Sequence, residues 1–198
     1  MQKLGILILA GGSSERMSAE KAFFEINGKP MIRHVVERVF KLSNEIVISC
    51  KSGREKLVEL FPQVNVVLDK NKKKGPLTGL MSALPEIRSE YTALVTCDCP
   101  KIKSEVIRLL FEYAKNHGGA VPRWPNGYME PLQAVYETVK LRKAVNEAWK
   151  GGKMKLTNVL KKIPDIVYVS TKKLKLIDPK LESFINVNSP EDIKLLSG

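Results

Sequence analysis

The sequence predicts one α/β domain, a three-layer αβα sandwich around a mostly parallel sheet. Three observations carry this. Leu4-Gly5-Ile6-Leu7-Ile8-Leu9-Ala10 is a short, nearly continuous apolar run, the pattern of a central strand covered on both faces. Similar runs alternate with amphipathic stretches through the first half of the chain, and that alternation implies parallel pairing with crossover helices on both faces. Gly11, Asp69 and Asp98 each follow such a run, and ligands of these sheets lie beyond the carboxyl ends of the strands. The three residues should therefore converge on one edge.

The elements follow in order. After the strand at 4–10, Pro30 sits at the first turn of a helix whose Met31, Ile32, Val35, Val36, Val39 and Phe40 share one face. Residues 45–49 read as a second buried strand, 54–61 as a helix, and 64–68 as a third strand ending at Asp69. Residues 77–87 read as helical after the Gly75-Pro76 opening, and 91–96 as a strand ending at Cys97-Asp98. The second half is less regular. It offers an amphipathic helix at 106–114, a short strand at 120–122, a loop with Pro, Gly and Trp at 123–129, a strand at 132–137 and a helix at 139–149. From Gly151 the chain turns lysine-heavy, with a strand at 165–170 and a helix start at Ser189-Pro190-Glu191-Asp192, where Ser189 is the N-cap. No repeat or low-complexity linker interrupts this, so residues 1–198 read as a single domain.

Composition narrows the function classes. The 198 residues, 43% of them hydrophobic, suffice for a substantial core. Thirty-three Lys and Arg against 21 Asp and Glu leave +12, which implies polyanionic company: nucleotides, phosphorylated cofactors, nucleic acid or acidic proteins. Three cysteines, Cys50, Cys97 and Cys99, cannot all pair within one chain and form no C-x-x-C. That disfavours a disulfide framework or zinc site and points to a reducing cytoplasm. The first ten residues do not make a signal peptide, and no apolar run approaches the roughly 18 residues of a membrane span.

The chemistry concentrates after the first strand. Gly11 and Gly12 lack a Cβ, so the backbone there can take positive φ and bring its amides close to a ligand. Ser13 and Ser14 add hydroxyl donors, and Arg16 and Lys21 place a fork-shaped and a point cation just downstream, a set that suits a row of phosphates. Neither the P-loop nor the dinucleotide-fold glycine spacing occurs. Read by itself, the stretch equally fits a Gly-Gly turn with Arg16 and Lys21 solvated. Asp98, in a turn held by Pro100, is placed to bind Mg²⁺ together with triphosphate oxygens, since magnesium commonly takes one or two protein carboxylates. The position also suits an Asp that caps the next helix. The run of Lys70, Lys72, Lys73 and Lys74 reads as a solvated face, and His34 and His117 read as core-edge or capping residues.

Leu9-Ala10-Gly11-Gly12-Ser13-Ser14-Glu15-Arg16-Met17-Ser18-Ala19-Glu20-Lys21 is similar to the L-A-G-G-x-S-x-R-M-G-x-[DE]-K signature of nucleotidyltransferases. With Asp69, Gly75-Pro76-Leu77-Thr78-Gly79, Cys97-Asp98-Cys99-Pro100 and Asn186-Val187-Asn188-Ser189-Pro190, the chain resembles, over almost its whole length, the molybdenum cofactor guanylyltransferase family. The resemblance implies a Rossmann-like sheet of the nucleotidyltransferase type. It also implies transfer of GMP from Mg-GTP to the terminal phosphate of molybdopterin, with release of pyrophosphate. By the same resemblance Leu9, Ala10, Gly11, Gly12, Ser13, Lys21, Asp69 and Asp98 bind the nucleotide, and Arg16, Lys21 and Asp98 carry catalysis. Asp98 holds Mg²⁺, and Asn186 and Asn188 face the pterin acceptor. Transient contact with proteins that supply or receive the cofactor is expected, and neither membrane nor nucleic acid is. Two positions depart from the pattern: Ser18 replaces a glycine, and Lys51 stands where the family often has a nucleotide-contacting asparagine.

The chemistry agrees with this expectation. A phosphate monoester is already mostly dianionic at neutral pH, its second pKa being about 6, so the acceptor needs no general base. What it needs is orientation and charge neutralisation. A carboxylate at Asp69 can accept from the N–H edge of guanine or from a ribose hydroxyl. The rival readings are a cytidylyltransferase or other small-acceptor nucleotidyltransferase and, more distantly, a basic nucleic-acid-binding protein. The last lacks any helix-turn-helix, zinc or aromatic-basic signature.

Overall fold

The computed structural model describes residues 2–11, 21–70, 75–189 and 191–192. In chain order its strands are β1 (Leu4–Leu9), β2 (Glu25–Ile26), β3 (Lys29–Pro30), β4 (Ile46–Cys50), β5 (Asn65–Leu68), β6 (Tyr91–Thr96), β7 (Gly119–Arg123), β8 (Ala134–Glu137) and β9 (Ile166–Ser170). The helices are α1 (Met31–Val39), α2 (Arg54–Leu60), α3 (Pro76–Ala83), α4 (Ser104–Ala114), α5 (Thr138–Lys150), α6 (Leu156–Leu160) and α7 (Thr171–Leu174). Seven strands form one sheet in the order β5-β4-β1-β6-β8-β7-β9. The pairs among β5, β4, β1 and β6 are parallel, as is β7 with β9.

The layers can be read from side-chain alternation. Ile6 and Ile8 of β1, with Ile48 of β4 and Val95 of β6, point into a core closed by Val35 of α1, Leu57 of α2 and Leu110 of α4. Leu7 and Leu9, with Val47 and Leu94, point the other way, against Leu80 of α3, Leu141 of α5 and Leu160 of α6. Successive strand residues face opposite sides, so a strand apolar at every position needs a helix layer on each face. That is why 4–9 carries no polar side chain.

The structure departs from the sequence reading in the second half. β8 runs antiparallel to both β6 and β7. The connection from β7 to β8 is a folded-back loop without a crossover helix, and parallel neighbours need a crossover. A two-stranded ribbon, β2 with β3, was not anticipated. Its turn is Asn27-Gly28, with φ of 50° and 73°, the conformation that Asn-Gly favours in tight hairpins. Pro30 consequently stands at the N-cap of α1 with ψ of 137° and not within its first turn. The expected helix at 77–87 divides into α3 and a single 3₁₀ turn, Leu84–Glu86, which holds Pro85. Helices α6 and α7 are too short to have shown a period.

Candidate active site

A cavity of about 270 Å³ opens at the carboxyl ends of the parallel strands. It lies where the strand order reverses: β4 and β5 extend to one side of β1, and the chain then crosses to β6 on the other side. Such a reversal leaves a crevice that helices cannot fill. Leu9 at the end of β1 and Gly11 after it, Ser49 of β4, Asp69 after β5 and Asp98 after β6 all line it. The predicted convergence of Gly11, Asp69 and Asp98 is thus met.

One wall is built around Asp69. Ser49 Oγ donates to Asp69 Oδ1 at 2.5 Å, and the Asp69 amide donates to the Cys50 carbonyl at 2.7 Å, so the carboxylate is fixed from both ends. Burial raises the Asp69 pKa above the ordinary carboxylate value, opposed by the Ser49 hydrogen bond and the Lys51 charge. Lys51 therefore brings a cation to Asp69, and its stem runs beside Gly11: a Cβ on Gly11 would lie 2.9 Å from Asp69 Oδ2 and 3.2 Å from Lys51 Cγ. Gly75, the N-cap of α3, holds φ of 115°, a conformation that suits glycine.

Gly79 brings α3 onto the sheet. A Cβ there would lie 2.6 Å from Ser49 Oγ and 3.0 Å from Leu9 Cδ2. Gly79→Ala is therefore expected to displace Ser49 from Asp69 and to destabilise the fold by about 1–3 kcal/mol, as overpacking typically does. Thermal unfolding and nucleotide titration check this. An unchanged melting temperature with unchanged nucleotide affinity would show that α3 yields without disturbing Ser49.

The opposite wall is built around Lys21. Lys21 is buried at 7% exposure, and its Nζ lies 3.2 Å from Asp98 Oδ2 and 3.0 Å from Asn188 Oδ1. Three chain segments far apart in sequence meet here. The Cys97 amide donates to the Leu9 carbonyl at 3.1 Å, and the Val187 amide donates to the Asp98 carbonyl at 2.8 Å, so the turn after β6 is tied both to β1 and to the C-terminal segment. Asn188 is held in turn: its amide and that of Ser189 donate to Asp192 Oδ2, while the Asp192 amide donates to Ser189 Oγ at 3.3 Å. This reciprocal cap is the helix start expected at Ser189. The Ser183 amide and Lys103 Nζ both reach the fully buried Asp178 at 2.9 Å, which clamps the segment leading to Asn186.

A second cavity of about 190 Å³ adjoins the first and shares Thr96, Asp98 and Leu132 with it. Asn186 lines it, together with Tyr128, Glu130 and Gln133. Behind its wall, Gln133 Nε2 donates to Thr96 Oγ1 and to Cys99 Sγ, each at 2.8 Å, and the Cys99 thiol donates to Asn186 Oδ1 at 2.9 Å. Burial pushes the Cys97 thiol up to about 12 and the Cys99 thiol higher still. These thiols serve as packing and hydrogen-bonding groups and not as nucleophiles.

Of the residues singled out from the sequence, Lys21, Asp98 and Asn188 stand in direct contact, and Leu9, Gly11 and Asp69 share their cavity. Ala10 contributes backbone, its amide donating to the Ser49 carbonyl at 2.8 Å. Asn186 faces the second cavity. Gly12, Ser13, Ser14, Arg16, Ser18 and the run at 72–74 lie outside the described residues. Both histidines sit elsewhere: His34 Nε2 pairs with the Ile26 carbonyl at 2.8 Å, and His117 Nδ1 with Asp165 Oδ2 at 2.9 Å. Among the described residues no cluster of three or more His, Cys, Asp or Glu forms a metal site. Sequence reasoning gave no role to Ser49, Glu130 or Gln133. The one available signal was the polar pair bracketing Glu130-Pro131-Leu132-Gln133.

Comparison with known proteins agrees with this geometry. The family profile of the MobA-like NTP transferase domain matches residues 6–166. A probable molybdenum cofactor guanylyltransferase of Pyrococcus horikoshii is 37% identical over 199 residues, covering 98% of this chain and 100% of the relative. One of Methanosarcina acetivorans is 35% identical over 201 residues, covering 97% and 89%. The crystal structure of molybdopterin-guanine dinucleotide biosynthesis protein A from Archaeoglobus fulgidus superposes with a TM-score of 0.79 at 27% identity, covering 98% and 96%. A 2-C-methyl-D-erythritol 4-phosphate cytidylyltransferase of Thermus thermophilus superposes with a TM-score of 0.67 at 15% identity, covering 96% of each chain, a likeness of fold alone.

Proposed function

The chain belongs to the MobA-like NTP transferase family, and from that premise we propose that it is a molybdenum cofactor guanylyltransferase. It joins GMP from GTP to the terminal phosphate of molybdopterin and releases pyrophosphate. The observation that carries this reading is the Lys21, Asp98 and Asn188 cluster, whose Asp98 lines both cavities. A reaction between two phosphorylated ligands needs fixed charge at their junction.

The chemistry is a displacement at phosphorus. An oxygen of the acceptor phosphate attacks the α-phosphorus of GTP, the bond from that phosphorus to the bridging oxygen breaks, and pyrophosphate leaves with the electron pair. Both partners are anions, so catalysis rests on positioning them and neutralising their charge. Lys21, desolvated and oriented by Asn188, offers its ammonium where that charge gathers. No side chain has to take a proton, because the attacking phosphate is already ionised, and no histidine lines the cavity among the described residues. In this reading Gly11 and Leu9 lie along the nucleotide, Asp69 reads the base, and Asn186 and Asn188 face the pterin. Gly12, Ser13 and Arg16 keep the triphosphate-binding roles that the signature implies.

The donor set also fits a magnesium ion. Asp98 is a single carboxylate, 26% exposed, in the lining that the two cavities share, and magnesium is usually held by one or two carboxylates plus phosphate oxygens. Asp98 would hold it, and when bound the ion neutralises phosphate charge.

All 198 residues serve as one domain for this activity. The three free, buried cysteines fit a reducing cytoplasm, and no described helix is long and apolar enough to cross a membrane. We read proteins that supply or receive the pterin cofactor as transient partners and expect no nucleic-acid target. The direct experiment is incubation with Mg²⁺, each of the four ribonucleoside triphosphates and molybdopterin-loaded protein, followed by mass analysis of the pterin. GTP alone should add a nucleotide. Preferential transfer from CTP would overturn the guanine assignment.

Base choice has its own test. Guanine presents N1–H and an amino group side by side, which a carboxylate can accept together, whereas cytosine offers one amino group beside two acceptors. Asp69→Asn is therefore expected to weaken use of GTP more than use of ITP, which lacks the amino group, with CTP poor throughout. An equal fall for every triphosphate would place Asp69 on the ribose.

A further inference from the structure

The second cavity contains a carboxylate that the reaction as derived does not use. Glu130 Oε1 accepts from Trp124 Nε1 at 2.8 Å, while Oε2 has no hydrogen-bond or ion-pair partner among the described residues. The group is half-buried, and burial raises its pKa above the ordinary value, only partly opposed by the Trp124 hydrogen bond. Nor is its position accidental to a loose loop. The Trp124 amide donates to the Tyr128 carbonyl at 2.8 Å, Gly127 to Trp124 at 2.9 Å, and Glu130 to Pro122 at 3.0 Å, while the Trp124 ring packs edge-on against Phe184. The loop is stapled, and it holds Glu130 in the wall and Tyr128, 63% exposed, at the rim.

A half-buried carboxylate without an ion-pair partner is unfavourable even in a chain of +12, and more so beside a site that gathers phosphates. It becomes favourable when a ligand offers two neighbouring N–H donors. A carboxylate has about four lone-pair sites, so Oε1 can keep Trp124 and still share the ligand. A 2-amino-4-oxo pteridine presents such a pair, N3–H and the exocyclic amino group, on one edge. We infer that Glu130 recognises that edge of the acceptor and is a specificity-determining residue of the second cavity, with Tyr128 offering a flat face beside it. The inference rests on the reading that the acceptor is a pterin and goes beyond it by naming the atoms read.

The test uses Glu130→Gln, which keeps an Oε1 acceptor for Trp124 but replaces the second acceptor with a donor. The acceptor KM should rise about 10- to 100-fold, the range for losing hydrogen bonds to a charged group, while the GTP KM stays within about twofold. In wild-type protein, pterin should compete with the acceptor better than lumazine, which has oxygen in place of the 2-amino group, and the variant should lose that preference. Tryptophan emission and melting temperature, which report the Trp124 staple, should hold. A risen GTP KM with an unchanged acceptor KM would overturn the inference and assign the cavity to the nucleotide. Equal competition by pterin and lumazine in wild type would also overturn it, while leaving guanylyl transfer to molybdopterin standing. Failure of the wild-type chain to modify molybdopterin would defeat the functional reading and this inference with it.

Discussion

Replacing Lys21 with alanine is expected to lower guanylyl transfer by about 10²-fold or more, the usual cost of losing one contact that acts on developing charge, while the protein stays folded. The geometry explains why both halves of that statement hold. Among the described residues Lys21 Nζ bonds to two polar groups, Asp98 Oδ2 and Asn188 Oδ1, so its removal chiefly empties a polar junction. The partner left behind, Asp98, is 26% exposed and can be hydrated. The loss should appear in kcat more than in the KM for GTP, because the ammonium acts where the two phosphates react. Single-turnover transfer with saturating GTP and acceptor is the measurement. Near-normal turnover by a folded variant would remove Lys21 from the reaction.

Asp98→Asn should be as damaging to activity and more damaging to the fold. It removes the one carboxylate proposed to hold magnesium, so the dependence of rate on Mg²⁺ concentration should collapse or shift far upward. It also strands Lys21. That side chain is 8% exposed, and without the Asp98 charge it keeps, among the described residues, the Asn188 amide oxygen and the longer-range field of Asp192. Breaking a buried pair by removing one partner typically costs about 3–5 kcal/mol. Here the pair borders a solvent-filled cavity, so we expect roughly half of that. The comparison discriminates: Asp98→Asn should melt lower than Lys21→Ala, and the double variant should recover part of the difference because no charge is then stranded. A Mg²⁺ titration identical to wild type would place the metal on another residue. Equal melting temperatures for the two single variants would mean that Lys21 reaches solvent.

Much of the fold could be read without coordinates because the carrying signals are local. The run Leu4 to Leu9 is apolar at every position except Gly5, which only a doubly covered strand tolerates, and Gly11, Asp69 and Asp98 were placed on one edge by the rule that parallel strands end together. The hairpin at Asn27-Gly28 was equally local and went unread, although that dipeptide is a strong short-range turn signal. The direction of β8 was less accessible. Residues 134–137 have the same apolar character whichever way the strand runs, and only the path of the preceding loop distinguishes the two.

The sequence by itself determined the ingredients of the site: a glycine turn after the first strand, a lysine behind it, two acidic residues at strand ends and a pair of asparagines near the chain's end. Their family pattern is a matter of identity and spacing, which a linear string contains in full. Only the tertiary structure decided which of them act on each other. Lys21, Asp98 and Asn188 are separated by 77 and 90 positions, and although the signature singles out Lys21, nothing local pairs it with Asp98 or Asn188. The same holds for Ser49 on Asp69 and for Trp124 on Glu130. The physical reason is that burial and hydrogen-bond partnership belong to the packed assembly. An ammonium becomes a desolvated, oriented charge only when the sheet edge, the turn after β6 and the C-terminal segment close around it, and a carboxylate becomes a recognition group only when folding half-buries it without an ion-pair partner.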